Sequence, residues 1–177
     1  MKITRLLAPE DAPALAELLR VNREFLEPWQ PVRSEDYFTA AGQLAVIQAD
    51  LDEYGQGAKL PHVILDDSSL PIGRITLSGI VYGPFQSCAM GYWVNAGHNG
   101  RGFATAAVSE IVRVAFEELG LHRVQAEILP HNTGSRRVLE RNGFTRFGMA
   151  PEYLNIAGRW QDHAMYQVVN RSWAATD

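Results

Sequence analysis

The sequence predicts an α+β domain in which helices cover the faces of a mixed sheet. Two observations lead to this fold class. Segments typical of strands and helices follow one another in an irregular order, and a glycine-rich turn at residues 99–102 joins an aromatic strand to an amphipathic helix. The 177 residues are 46% hydrophobic and 20% charged, which is typical of one folded unit, so we expect a single domain over residues 1–177.

The first half of the chain is predicted to form a strand, two helices and a hairpin. Pro9 followed by two acids is typical of a helix start, and Ser34 before two acids is typical of a helix N-cap. A polar turn at residues 66–69 separates two runs of strand character. In chain order, the predicted elements are a strand over 2–7, a helix from 9 to about 26, a helix from 34 to 54, and strands over 62–65 and 72–80.

The second half is predicted to alternate strands with helices and to end in two strands. The helix after the glycine-rich turn has apolar residues at three- and four-residue intervals from Ala104 to Leu119, and Gly120 is suited to end it. If this helix makes a right-handed crossover, the strand at 123–129 runs parallel to the strand that ends at Val94. The remaining elements are a short helix from Asn132 to Gly143 and strands over 144–153 and 160–169.

Composition and charge argue against several classes of function. A formal net charge of −4 argues against nucleic acid as a partner, because binding to its backbone needs clustered lysine and arginine. No run approaches the roughly 18 apolar residues of a membrane helix, and the N-terminal residues lack the apolar segment of a signal peptide. We therefore expect a cytoplasmic protein that binds no membrane. Cys88 is the single cysteine, which rules out a cysteine-based zinc site, and no metal is expected.

The turn at residues 99–105 has the features of an anion-binding site. Gly100 and Gly102 lack the β-carbon that would keep a phosphate away from the main-chain amides, and Arg101 adds a positive charge. The N-terminus of the following helix contributes about half a positive charge. The Walker lysine is missing after the second glycine, and the third glycine of the dinucleotide fingerprint is also missing. A tight strand-to-helix connection is the alternative explanation of the two glycines.

This turn resembles the acetyl-CoA pyrophosphate loop of the GNAT acyltransferase superfamily. The segment reads Asn99-Gly100-Arg101-Gly102-Phe103-Ala104, with Asn99 in place of the usual Arg or Gln. The resemblance implies the GNAT (acyl-CoA N-acyltransferase) fold, a mixed, mostly antiparallel sheet of about seven strands with helices on both faces. It also implies that acetyl-CoA is the cosubstrate. The residues expected to bind it are Tyr92, Trp93, Val94, Asn99, Gly100, Arg101, Gly102, Phe103, Ala104, Thr105, Asn132 and Ser135.

A second segment, residues 131–144, is similar to the part of RimJ-type GNAT proteins that borders the pantetheine arm of the coenzyme. With residues 22–29 and 158–163, the similarity extends over nearly the whole chain. The RimJ type comprises ribosomal-protein-alanine N-acetyltransferases, which acetylate a protein N-terminal amine. Asn132 and Ser135 are therefore expected to contact the coenzyme, although both are also typical helix-capping residues.

The resemblance implies direct attack of a neutral amine on the thioester in a ternary complex. Main-chain N–H groups near residues 92–94 would polarise the thioester carbonyl between two splayed strands, and Ser135 would hydrogen-bond the sulfur and supply a proton. Leu139 occupies the position of a tyrosine acid found in many members. Phe147 replaces the glutamate that is common in the RimJ type, so Glu152 is the predicted base. Its rivals are Glu127, His131 and Asp162.

Three functions are compatible with these residues. The leading one is acetyl transfer to a protein N-terminal amine, such as that of a ribosomal protein. The others are acetylation of a small amine (an antibiotic, a polyamine or an amino acid) and a non-catalytic acyl-CoA-binding module. Acceptor specificity is expected from residues 25–33 and 154–159, and Trp29 is expected either to plug the core or to form a binding wall. The protein is expected to be a monomer or a homodimer.

Overall fold

A single seven-stranded sheet is the framework of the computed structural model, which describes residues 2–174. The strands are β1 (Thr4–Leu6), β2 (Lys59–Leu65), β3 (Pro71–Val81), β4 (Ser87–Val94), β5 (Arg123–Ile128), β6 (Thr145–Ile156) and β7 (Arg159–Val169). They lie in the order β1-β2-β3-β4-β5-β7-β6. The β4–β5 pair is parallel and the other neighbouring pairs are antiparallel, which confirms the predicted mixed, mostly antiparallel sheet.

Helices cover both faces of the sheet, as predicted. They are α1 (Ala12–Val21), α2 (Arg23–Leu26), α3 (Ala40–Gly55), α4 (Phe103–Arg113) and α5 (Thr133–Arg141). On one face, Ile111 of α4 packs in a core cluster with Met90. On the other face, Leu15 and Ile47, from α1 and α3, pack with Val63 of β2. Each fully buried aliphatic side chain of this kind stabilises the fold by about 1.5–3 kcal/mol.

The second predicted helix begins later than expected. Glu35–Phe38 is a 3-10 turn, and the α-helix starts only at Ala40. Thr39 caps this helix, because its hydroxyl oxygen accepts the Gly42 N–H at 3.0 Å. A β-carbon at residue 42 would collide with the Asp36 carbonyl oxygen, so the glycine lets the turn lie against the helix start. The prediction of Ser34 as the cap of this helix is therefore wrong.

The first predicted helix is interrupted at Asn22. The side-chain amide of Asn22 donates to the Leu18 carbonyl at 2.7 Å, and its side-chain oxygen accepts the Ala96 N–H at 2.9 Å. Because Asn22 is only 4% exposed, both hydrogen bonds are protected from water. The end of α1 is thereby held against the turn that follows β4.

Two other boundaries differ from the predicted ones. β2 begins at Lys59 although Pro61 lies within it. The last ladder pair of β1 is Leu6 with His62, and just beyond it the Leu7 N–H donates to the Pro61 carbonyl at 2.9 Å. The missing N–H of Pro61 therefore falls at the end of the β1–β2 pairing, where a proline is tolerated. The helix after the glycine-rich turn starts at Phe103, and its last turn is a π-helical turn over Val114–Glu118.

A partly buried polar cluster joins β1, β2 and α4. The Thr4 hydroxyl donates to Glu110 Oε1 at 2.9 Å and lies 3.0 Å from His62 Nδ1. Glu110 Oε2 also accepts the Ile3 N–H at 2.9 Å. Burial lowers the pKa of His62 to about 4, so the imidazole is neutral in the folded protein at neutral pH.

We predict that His62 makes the fold less stable in mild acid. Between the ordinary pKa of 6.5 and about 4, the unfolded chain binds a proton that the folded chain does not, so stability falls as the pH is lowered through this window. The loss due to His62 should reach about 2–3 kcal/mol near pH 4.5. Urea unfolding at pH 7 and pH 4.5 should show a smaller loss for His62→Gln than for the wild type. Equal losses would contradict the prediction.

Candidate active site

The glycine-rich turn after β4 presents main-chain amides in an open position. Gly100 and Gly102 have φ values of +75° and +90°, and a β-carbon at either residue would meet no atom within 4 Å. Gly102 is the N-cap of α4, and the first helical hydrogen bond runs from the Ala106 N–H to the Gly102 carbonyl at 2.9 Å. The amides of residues 103–105 therefore precede the helical ladder, which is the arrangement that binds phosphate at a helix start.

The side chains of the turn add charge and fix its position. The Arg101 guanidinium lies 5.2 Å from the centre of the Phe103 ring, and that ring is buried against the core. The Asn99 N–H donates to the Ala96 carbonyl at 3.1 Å and closes the short turn before the glycines. Arg101, Gly102 and Phe103 border a groove of about 280 Å³. These three predicted turn residues share the groove with Ile3 and Asp67.

A gap opens between β4 and β5 beside this turn. In the described part of the chain the two strands pair only from Ser87 to Ala89, opposite Arg123 to Gln125. Both strands continue beyond the pairing, β4 to Val94 and β5 to Ile128. The parallel strands therefore splay toward their carboxyl ends, as the resemblance implied, and the gap leads toward the glycine-rich turn.

Main-chain donors of β4 point into this gap at alternate residues. The Asn95 N–H donates to the Ile72 carbonyl of β3 at 2.7 Å. Because N–H groups alternate sides along a strand, Trp93 also directs its N–H toward β3, whereas Tyr92 and Val94 direct theirs toward β5. Tyr92 and Val94, two of the three predicted residues at this strand end, therefore offer amides to a carbonyl oxygen in the gap.

Ser135 lies on the α4 and α5 face of the sheet, beside Tyr92. Asn132 caps α5, and its side-chain oxygen accepts the Ser135 N–H at 3.0 Å, so the capping role considered from the sequence is real. The Ser135 hydroxyl oxygen lies 2.7 Å from the Tyr92 hydroxyl. Burial raises the pKa of Tyr92 to about 12, which keeps this phenol neutral. The sequence indicates a main-chain role for Tyr92 and does not reveal this side-chain contact.

Glu127 lies on the opposite face, where β5 borders the gap. Its neighbours Ala126 and Ile128 point into the core cluster under α4, so strand alternation turns Glu127 toward the α1 and α3 side. The side chain is half-buried, and desolvation raises the pKa of its carboxyl group. Desolvation, followed by the negative charge of Glu127, raises the pKa of Tyr153, whose ring centre lies 5.8 Å from that of His163. A carboxylate with raised basicity thus borders the gap.

The other carboxylates considered as bases lie farther out. Glu152 is exposed on β6, which is separated from β5 by β7. It has a positive φ of 45° in an irregular part of the β6–β7 ladder, and its N–H donates to Asp162 Oδ1 at 2.9 Å. The role of Glu152 as the base stays a prediction. Of these carboxylates, Glu127 alone lies on a strand that borders the gap.

Two chain segments close the α1 side of the gap. The Ala157 N–H donates to the Gln30 carbonyl at 3.0 Å, which joins residues 25–33 to the β6–β7 turn. The Trp29 ring lies 5.4 Å from the His131 ring and is 37% exposed. Trp29 is therefore a surface residue and does not plug the core, and its alternative role in a binding wall stays a prediction.

Cys88 is unsuited to covalent catalysis. It is 2% exposed and lies in the paired part of β4, away from the gap. Burial raises the pKa of its thiol to about 12, so the reactive thiolate is not formed near neutral pH. Cys88 is instead a small residue of the hydrophobic core.

Residues 2–174 contain neither a membrane-spanning helix nor a cluster of metal ligands. Within this range, no helix has the length and apolar character needed to cross a membrane. Within the same range, no three histidine, cysteine, aspartate or glutamate side chains are grouped as metal ligands.

Known proteins share this architecture and sequence. Residues 3–145 match the family model described as an acetyltransferase (GNAT) domain. The protein named Probable N-acetyltransferase YjcK, from Bacillus subtilis (strain 168), is 36% identical over 94% of this chain and 92% of its own length. The ribosomal protein uS5-alanine N-acetyltransferase of Escherichia coli (strain K12) is 33% identical over 97% of this chain and 89% of its own.

A solved structure extends the likeness to three dimensions. The structure of Mycobacterium smegmatis RimJ in complex with CoA-disulfide superposes with a TM-score of 0.92 at 29% sequence identity. The match covers 98% of this chain and 84% of the other. The whole described fold, including the splayed strands and both flanking segments, therefore falls within the compared region.

Proposed function

This chain belongs to the GNAT family of N-acetyltransferases, and we propose that it transfers the acetyl group of acetyl-CoA to a protein N-terminal amine. One observation carries the proposal. A gap between parallel strands has main-chain donors at its edge, a glycine-rich turn with free helix amides at its end, a hydroxyl group on one face and a carboxylate with a raised pKa on the other. Together these elements can hold a coenzyme diphosphate, polarise a thioester carbonyl, hydrogen-bond the leaving sulfur and accept a proton from the amine.

The turn and the gap divide the binding of acetyl-CoA between them. The amides of residues 100–105 and the Arg101 charge would hold the diphosphate. The pantetheine arm would lie between β4 and β5 and bring the thioester to the amides of Tyr92 and Val94. Those two amides would stabilise the negative charge that develops on the carbonyl oxygen during attack. Asn132, at the start of α5, would border the arm.

The amine would approach from the side of α1 and α3. Glu127 accepts a proton from the attacking nitrogen, directly or through one water molecule, and desolvation of its carboxylate raises its basicity. An α-amine has a pKa of about 7.7–8.0, so a modest base suffices near neutral pH. The carbon–nitrogen bond forms, the carbon–sulfur bond breaks with its electron pair going to sulfur, and the Ser135 hydroxyl hydrogen-bonds the departing thiolate. Glu152 is the alternative base.

The proposed acceptor class rests on the named relatives and on the two chain segments at the acceptor side of the gap. The relative from Escherichia coli is named for acetylation of the alanine of ribosomal protein uS5. In this chain, residues 25–33 lie against the β6–β7 turn on the proposed acceptor side, an arrangement that suits an extended peptide end. Glu24 and Glu27 add negative charge on this side and would attract a cationic amine.

The proposed function is tested by following thiol release from acetyl-CoA with a panel of acceptors. The panel contains an alanine-starting peptide with the N-terminal sequence of uS5, the same peptide with its N-terminus blocked, spermidine and free amino acids. We expect release with the free peptide and none with the blocked one. Release with small amines alone would contradict the protein acceptor. Thermal stabilisation by acetyl-CoA without any release would instead identify a non-catalytic acyl-CoA-binding module.

A further inference from the structure

Two hydroxyl groups from distant parts of the chain meet beside the gap. Tyr92 comes from β4 and Ser135 from the first turn of α5, and their oxygens are 2.7 Å apart. The Tyr92 hydroxyl also lies 3.3 Å from the Ser135 carbonyl oxygen. Because 2.7 Å is a typical O–H···O distance and 3.3 Å is long, the side-chain contact is the stronger of the two.

The acidities of the two hydroxyl groups favour one direction for this hydrogen bond. A phenol is a better proton donor than an aliphatic alcohol, and the raised pKa of Tyr92 keeps its proton in place at working pH. These properties favour Tyr92 as the donor and the Ser135 hydroxyl oxygen as the acceptor. Ser135 has one hydroxyl proton of its own, which this arrangement leaves for a third group. The main chain of Ser135 is already fixed by the Asn132 cap at 3.0 Å, so the hydroxyl rotation is what Tyr92 restricts.

We propose that Tyr92 is a positioning residue that aims the Ser135 hydroxyl proton at the sulfur of the bound thioester. The inference rests on the proposed acetyl transfer. As the carbon–sulfur bond breaks, its electron pair goes to sulfur, and the Ser135 O–H···S hydrogen bond stabilises the thiolate. Tyr92 keeps its proton throughout. The thiolate then takes a proton from water. The base gives up to water the proton that it received from the amine, so no net proton is gained or lost by the protein.

Three variants test this role: Tyr92→Phe, Ser135→Ala and the double variant. Tyr92→Phe removes the hydroxyl and keeps the ring that packs against the core. We expect kcat for Tyr92→Phe to fall about tenfold, while KM for acetyl-CoA changes less than about twofold. The double variant should be no slower than Ser135→Ala, because Tyr92 acts only through Ser135. Tyr82→Phe is the matched control, since Tyr82 is exposed and should keep wild-type kcat.

The outcomes separate this inference from the proposed function. A wild-type kcat in Tyr92→Phe, or losses that multiply in the double variant, would overturn the positioning role while acetyl transfer stands. A loss confined to KM would overturn it as well, because Tyr92 would then serve binding alone. A wild-type protein that transfers acetyl to no amine in the panel would overturn both.

Discussion

Gly102→Val should abolish binding of acetyl-CoA while leaving a folded protein. At the wild-type residue, φ is +90° and the space where a side chain would stand is open, which is the space that the diphosphate would occupy. A branched side chain would block the amides at the start of α4 and strain the turn by about 1–3 kcal/mol. Wild-type protein at about a hundred times the dissociation constant should gain roughly 2.7 kcal/mol from acetyl-CoA, and the variant should gain nothing.

Gly120→Val is the matched control for this experiment. Gly120 also has a positive φ, of 64°, and a β-carbon there would also meet open space. It lies after the end of the helical segment that the glycine-rich turn begins, and so at the opposite end from that turn. The control should lose a similar amount of stability and keep the full stabilisation by acetyl-CoA. Equal stabilisation of Gly102→Val and wild type would show that the diphosphate binds elsewhere.

Glu127→Gln should lower kcat by about a hundredfold with little change in KM for acetyl-CoA. A positioned general base typically contributes 10²- to 10⁴-fold, and the lower end applies because an α-amine is already partly neutral near pH 7. Glutamine keeps the size of the side chain and removes its basicity. The raised pKa of Glu127 places its protonation closer to neutral pH, so the wild-type rate should fall as the pH is lowered through that pKa.

Glu152→Gln is the comparison variant, because Glu152 is the base predicted from the sequence. It is exposed on the edge strand β6, and we expect its kcat to stay within about twofold of the wild type. In the pH profile of Glu127→Gln, the fall in rate due to protonation of Glu127 should disappear. Only the fall due to protonation of the acceptor amine should remain. A hundredfold loss in Glu152→Gln, with normal turnover in Glu127→Gln, would reverse the assignment.

The glycine-rich turn after β4 was predictable because its conformation depends on local sequence. Two glycines, an arginine and a helix start within a few residues determine which groups can approach an anion. The parallel β4–β5 pair followed from the crossover rule applied to one strongly periodic helix. These features depend on neighbours in sequence, or on a rule that holds for nearly all folds.

Other features depend on contacts that sequence spacing does not reveal. Tyr92 meets Ser135 across 43 positions, and Asn22 binds the Ala96 amide across 74 positions. Thr39, rather than Ser34, caps α3 because a turn folds back on Gly42. In each case, local preferences allowed several outcomes and tertiary packing selected one.

The choice between Glu127 and Glu152 as the base also depends on tertiary structure. Both lie on predicted strands, and the sequence does not show where the β4–β5 pairing stops. The structure shows that it stops at Ala89 and Gln125, which places Glu127 beside the opening. The basicity of Glu127 depends on its burial, which is also a property of the folded chain.

A crystal structure of the wild-type protein with bound acetyl-CoA is the most direct test of the proposed binding mode. The diphosphate should accept hydrogen bonds from amides of residues 100–105, and the thioester should lie between β4 and β5 with its carbonyl oxygen at the Tyr92 or Val94 N–H. Density for the nucleotide on another surface, with the turn amides hydrogen-bonded within the protein, would contradict acyl transfer at this site.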